Sequence, residues 1–287
     1  MNKKNDKVKI IQSGLSCRGK DLSGSNYSGS DLSGIDFREC ILVGTDFSKC
    51  NLSGCNFSDS NLQNANFFNT HMTGAKMVIA KISGIPLGNV KYTQFRNADL
   101  RGANFSSAKI EKTDFVDGNF ENCIIEDAIF RECEIGRARF KNVTITGCEI
   151  SRCDISCAVF KLSKLSQNNI TENLFAGSDF SDALLENNQI DDCDFSKSVM
   201  SSAKFLFTSF KDCDLSGCQA DGAQFNNGGF SKVTFDNAVL EQSQWYECKI
   251  ENSSFRGVLL DKAVMKGGFR RSDFQGASGQ FILGDKK

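Results

Sequence analysis

From Phe95 to Met265 every fifth residue is large and apolar, with Ala220 as the one exception. The series opens Phe95, Leu100, Phe105, Ile110, Phe115, Phe120 and keeps its phase through thirty-five positions. A helix repeats a face about every 3.6 residues and a strand about every 2, so neither places a side chain on one face at this spacing. A five-residue segment cannot bury one apolar side chain alone. Successive segments must wind about a common axis and stack, so the chain is a repeat protein.

An earlier series, Leu22, Tyr27, Leu32, Phe37 and onward to Leu87, has the same spacing in a different phase. Asp-Leu-Ser-Gly and Asn-Leu-Ser-Gly recur around its centres, for example at Asp31–Gly34 and Asn51–Gly54. Asp and Asn before a centre, with Ser and Gly after it, suit tight corners, because these residues accept turn and left-handed conformations. Leu87 and Phe95 are eight residues apart instead of five, which the phase reads as three additional residues. The only proline, Pro86, lies in this break. Proline removes a ladder donor, so Pro86, Leu87, Gly88 and Asn89 are a candidate loop.

The expected organisation is an N-terminal cap over residues 1–20, one array over 21–87 and a loop or offset joint over 88–94. A second array over 95–275 and a C-terminal cap over 276–287 complete it. Within the caps, Lys7–Ile11 and Gln280–Leu283 are expected to form short covering strands. The phase slips by one after Met265, to Phe269 and Phe274.

Two residues before each centre sits a small residue, usually Ala, Cys, Ser or Thr, and eleven of the 13 cysteines fall there. Thiol is therefore expected as a small buried hydrophobe, without metal or disulfide roles. Asn168, Asn173 and Asn188 occupy the same small position. Formal net charge is −1, which excludes polybasic attraction to nucleic acid or to an anionic membrane as the main activity. The charge is uneven, 11 basic against 7 acidic residues over 1–94 and 23 against 28 over the remainder. There is no run of about 18 apolar residues and no visible secretory leader, so a cytoplasmic protein is expected, with export into a host cytosol as the alternative.

The pattern of a small residue, Asp or Asn, Leu or Phe, and two mostly polar residues resembles the pentapeptide-repeat family. Ala98-Asp99-Leu100-Arg101-Gly102 and Ala103-Asn104-Phe105-Ser106-Ser107 carry the resemblance, which extends over roughly residues 20–275. It implies an all-β fold, a right-handed quadrilateral β-helix with four pentapeptides per coil and about twelve coils. On that geometry residues twenty apart stack. Phe160 then lies under Phe180, Trp245 lies over Phe225, and Asn168 and Asn188 can form an amide ladder.

A packed interior and a convex exterior leave no concave catalytic site, and no enzyme activity or cofactor is expected. His71, the only histidine, precedes Met72 and should face solvent. Recognition must then use outward columns. One runs Arg152, Glu172, Asp192, Asp212, Lys232, with Asp191, Asp194 and Asp214 beside it, and forms a candidate acidic surface. Another runs Val159, Asp179, Val199, Gln219, Val239, Leu259, whose Val159, Val199, Val239 and Leu259 form a candidate apolar surface. Within the family, the Qnr-like and MfpA-like proteins are thought to present a rod resembling DNA to type II topoisomerases. The resemblance therefore implies a protein partner such as DNA gyrase, engaged by mimicry and without direct nucleic-acid binding. A general interaction scaffold or effector module is the alternative. The last coil, with open strand edges, is a candidate homodimer surface.

Overall fold

A computed structural model of the chain describes residues 16–83 and 93–283. The chain divides into two compact units, Met1–Phe140 and Lys141–Lys287. The expected strand at Lys7–Ile11 and the candidate loop residues Pro86, Leu87, Gly88 and Asn89 lie outside the described residues.

In the first unit the repeat motif explains the coil residue by residue. Asp21 pairs in parallel with Ile41, Asn26 with Asp46, Asp31 with Asn51 and Asp36 with Asn56, each partner twenty residues on. One coil is therefore four five-residue sides. The N–H of Leu22 donates to Ile41 O at 2.8 Å, and the N–H of Ile41 donates back to Lys20 O at 3.0 Å. Each side ends in a β-turn, as where the N–H of Ser25 donates to Leu22 O at 3.1 Å. The third residue of that turn, Gly24, has φ 63°, which glycine adopts without steric penalty. The residue before the centre caps the same corner: Asp21 Oδ1 accepts the N–H of Ser23 at 3.0 Å, and Asn51 Oδ1 that of Ser53 at 3.1 Å. So Asp caps, Leu is buried, Ser supplies the N–H and Gly turns the chain. Cys17 already occupies an inward position, with its turn bond from Lys20 N–H at 3.0 Å, so the repeat reaches into the stretch expected as a cap.

The break between the two arrays is larger than its phase suggests. Asn66 pairs with Gln94, His71 with Asp99 and Lys76 with Asn104, and Lys81 pairs with Lys109. These partners are twenty-eight residues apart, so eight residues are additional, not three. Phe95 stacks on Phe67 with ring centroids 4.5 Å apart, in the place a twenty-residue spacing would give to Leu87.

In the second unit two adjacent sides carry three-residue strands in parallel register. Asn169–Thr171 pairs with Gln189–Asp191, and Leu184–Glu186 pairs with Lys204–Leu206. The other two sides pair through single bridges, such as Leu174 to Asp194 and Val159 to Asp179. The centres form columns of stacked rings: Phe160–Phe180 at 4.7 Å, Phe205–Phe225 at 4.8 Å and Phe225–Trp245 at 4.0 Å. Trp245 finds its space among Phe230, Phe235 and Phe255, and its Nε1–H donates to Ser243 Oγ at 2.9 Å. The expected slip near the C-terminus is a one-residue shift in pairing: Tyr246 pairs with Lys266, then Cys248 with Gly267. A Cβ at Gly267 would lie 2.7 Å from Cys248 O, so only glycine fits there. Ile282–Leu283 pairs with Val264–Met265 as the expected covering strand.

The small inward position is more than a space filler. Cys40 Sγ donates to Cys17 O at 2.8 Å, Thr45 Oγ1 to Leu22 O at 3.1 Å and Cys50 Sγ to Tyr27 O at 3.0 Å. Cys, Thr and Ser interchange there because each is small and each offers a hydrogen to the centre's carbonyl in the coil below. Burial pushes the Cys55 and Cys123 thiols up to about 12, which keeps them protonated as donors.

Candidate interaction edges

The acidic column divides into two roles. Glu172, Asp191, Asp192 and Asp212 line one surface groove together with Thr171 and Lys211. Glu172, Asp192 and Asp212 sit at left-handed corner positions, with φ 55°, 52° and 51°. Their N–H groups tie each corner to the next coil, Glu172 to Asp191 O and Asp192 to Lys211 O, so the carboxylates stack at the coil spacing of about 4.8 Å. Lys211 Nζ lies 3.0 Å from Asp191 and 3.4 Å from Asp212, and Lys232 Nζ lies 3.3 Å from Asp212. The Asp212 carboxyl is raised by desolvation but lowered more by Lys232 and Lys211, and ends below its ordinary value. Asp194 and Asp214 differ. Their Oδ1 atoms accept the N–H of Ser196 at 2.7 Å and of Ser216 at 2.8 Å, so they cap corners like Asp21.

The apolar column is assembled in the expected order, Val159, Asp179, Val199, Gln219, Val239, Leu259, through consecutive parallel bridges. Its valines are half-buried, and Asp179 and Gln219 interrupt it, so Val239 and Leu259 are its one adjacent apolar pair. Three large outward apolar residues at corners lie off this column, and of them the sequence singles out Phe207, beside Leu206, as an outward candidate. Ile79 and Leu162 are exposed at left-handed corners with φ 58° and 60°. Phe207, 56% exposed, is a third, with φ 52°. Their signal in the sequence is a bulky residue two places after a centre, where Gly, Asn and Asp predominate.

His71 faces solvent, as its position before Met72 implies, and its Nδ1 lies 3.1 Å from Asp99 Oδ2, the oxygen that also accepts from Arg101. The 13 cysteines form no disulfide among the described residues, and Cys157 is the exposed one. Among the described residues no group of His, Cys, Asp and Glu is placed to hold a metal ion, and no helix is long and apolar enough to cross a membrane.

Parallel coils of twenty residues, with one buried centre and one left-handed corner per side, define a β-solenoid. The chain belongs to the pentapeptide-repeat proteins: the model of the pentapeptide repeat region matches residues 188–265, and that of pentapeptide repeats (8 copies) matches 17–54, 50–84 and 91–127. Similar solved structures include HetL, a pentapeptide repeat protein involved in heterocyst differentiation regulation from the cyanobacterium Nostoc sp. strain PCC 7120. It is 16% identical, with 100% of this chain and 94% of that chain covered and a TM-score of 0.24. Full-length QnrB1, a plasmid-mediated fluoroquinolone resistance protein, is 17% identical, with 74% and 94% covered and a TM-score of 0.24. A pentapeptide repeat protein of the Arabidopsis thaliana thylakoid lumen is 27% identical, with 48% and 66% covered and a TM-score of 0.21. No curated protein matches the sequence.

Proposed function

We propose that the chain is a non-enzymatic binding protein whose acidic edge holds a basic surface of a protein partner. The observation that carries this reading is the groove shared by Glu172, Asp191, Asp192 and Asp212. Carboxylates stacked at about 4.8 Å repel one another, and two lysines only partly relieve that. A partner supplying Arg and Lys removes the remaining repulsion and is steered in from a distance. The finer reading is a type II topoisomerase such as DNA gyrase, whose DNA-binding surface meets regularly spaced negative charge. It is supported by this spacing and by the resemblance of the repeat to the Qnr-like proteins. A cytoplasmic location is proposed on the buried thiols, which suit a reducing compartment.

The test is a gyrase supercoiling assay with a quinolone, run with and without the protein. Inhibition or protection is expected. It should be lost in the Glu172→Gln, Asp191→Asn, Asp192→Asn, Asp212→Asn variant, which spares the corner caps Asp194 and Asp214. No effect of the wild type over a wide concentration range rules out the gyrase reading. A wild-type effect that the variant retains rules out this edge.

A second reading, a general interaction scaffold or effector module, is favoured by the adjacent outward pair Val239 and Leu259. Val239→Glu with Leu259→Glu should then abolish partner capture without changing the circular dichroism spectrum.

A further inference from the structure

Behind the acidic edge, the column of small inward residues in the second unit reads Cys153, Asn173, Cys193, Cys213, Val233, Ser253, all buried. Each follows a corner residue, so Cys193 comes directly after Asp192 and Cys213 directly after Asp212. Among the described residues, no other two cysteines of one unit hold consecutive places in a column. The register sets these two over one another. Ile190 pairs with Phe210, Asp191 with Lys211 and Asp194 with Asp214, and the N–H of Asp214 donates to Cys193 O at 3.0 Å. Their Cα atoms are thus one coil apart, about 4.8 Å. Disulfides span Cα separations of about 4.4–6.8 Å and need Cβ vectors that do not diverge. Two inward side chains at consecutive places of one column meet both conditions.

We propose that Cys193 and Cys213 are an oxidisable pair, which a peroxide converts into a disulfide joining two consecutive coils behind the acidic edge. A hydrogen bond from the Cys193 thiol lowers Cys213 below its ordinary 9.0, and the same bond, together with burial, raises Cys193. Cys213 is therefore the nucleophile. Its thiolate attacks one oxygen of hydrogen peroxide, the O–O bond breaks, and the departing hydroxide takes up the thiol proton as water. Cys193 then attacks the sulfenic sulfur. The S–S bond forms, the S–O bond breaks, and a second water leaves with the Cys193 proton. Two thiols and one hydrogen peroxide give one disulfide and two waters. Asn173 below and Val233 above offer no competing thiol at the neighbouring places. Cys193 Sγ lies 3.2 Å from Asp191 O and Cys213 Sγ lies 3.1 Å from Lys211 O, the carbonyls of two groove residues. Oxidation removes both S–H hydrogens from beside this backbone and ties the coil of Asp192 to the coil of Asp212.

The test uses the full chain with Cys157→Ser, which removes the exposed thiol. Hydrogen peroxide is the probe because thiols 3% and 2% exposed admit only a small, uncharged oxidant. The native protein should lose two hydrogens and yield tryptic peptides 165–197 and 212–232 joined through Cys193 and Cys213. Dithiothreitol should separate them. The joined peptides should form at least about tenfold faster than any disulfide to Cys148, Cys218 or Cys248. With Cys193→Ser the reaction should stop at a sulfenic acid, trapped on Cys213 by dimedone, and Cys213→Ser should give no adduct at the same dose. Serine already stands in this column at Ser253, so both variants should keep the circular dichroism spectrum of the parent. A native protein that retains both thiols under peroxide overturns the proposal, and so do joined peptides that form only in urea. Equal joining to the other cysteines overturns it as well. A dimedone adduct on Cys193 in the Cys213→Ser variant, with none on Cys213, overturns the assignment of the nucleophile.

Discussion

The side-chain amide of Asn168 donates to Oδ1 of Asn188 in the coil above at 2.9 Å, while its own Oδ1 accepts the N–H of Cys148 in the coil below at 2.9 Å. The same amide nitrogen also donates to Ile145 O at 3.1 Å. At an ordinary corner the two backbone groups bond to each other, as Ser163 N–H does to Phe160 O at 3.0 Å. Here the carboxamide bridges them. Asn188 repeats the arrangement with Asn168 N–H at 3.0 Å and Leu165 O at 2.9 Å. Thr208 above it donates to Leu185 O at 3.0 Å.

Replacing Asn188 with Ala leaves the N–H of Asn168 and the carbonyl of Leu165 buried without these partners, and removes one bond of the Asn168 amide. At about 1–3 kcal/mol per orphaned buried group, a loss of about 3 kcal/mol is expected. Asn188→Thr should lose less, because Thr208 already fills the equivalent place with a hydroxyl. Urea midpoints at constant slope measure both.

Ile79 points the other way. It is β-branched, exposed and held at φ 58°, where Asp59 occupies the equivalent corner one coil earlier. Ile79→Gly or Ile79→Asn should therefore stabilise the protein by about 1 kcal/mol, read as a rise in unfolding temperature. A fall would mean that the isoleucine is covered in the native protein.

Thiol reactivity should separate one cysteine from the rest. Burial pushes Cys40 and Cys248 up to about 11 and Cys218 up to about 12, so their thiolates are scarce as well as covered. With a disulfide reagent at neutral pH, Cys157 should be labelled first under native conditions. All 13 should react after unfolding, as counted by mass spectrometry.

Acid should weaken the fold before base does. Arg101 holds the Asp99 carboxyl below its ordinary 3.8 by a hydrogen bond at 2.7 Å, Arg137 does the same for Asp117, and Arg18 holds Glu39 below 4.5. A depressed carboxylate contributes stability that is present above its unfolded pKa and is lost as pH falls through the folded one. The unfolding temperature should stay level down to about pH 5 and decline below about pH 4. Each pair is part-exposed, so each contribution is small and weakens with salt. Asp99→Asn should flatten the acid limb, and a decline that begins near neutral pH would contradict this account.

The inward half of the fold was legible because counting to five is local: Leu100 and Phe105 announce the interior without knowledge of what lies above them. The corner chemistry of Asp31-Leu32-Ser33-Gly34 was legible for the same reason. The break before Phe95 was not, since eight and three additional residues leave the same phase on a five-residue count, and only the pairing of Lys81 with Lys109 tells them apart. The donor role of Cys40 and Thr45 was hidden because their acceptor lies twenty-three residues back. Among the acids, Asp192 and Asp194 look alike in sequence, and the Asx bond to Ser196 separates a corner cap from a member of the groove.

Within the first unit coils of twenty and twenty-eight residues pair in parallel, and within the second coils of nineteen and twenty do, because pairing is settled along the sides and not in the chain between them. A junction between sides is therefore a place where foreign sequence can be carried. A peptide epitope or reactive tag spliced there should be displayed at a known height, while every later ring finds its usual neighbour below.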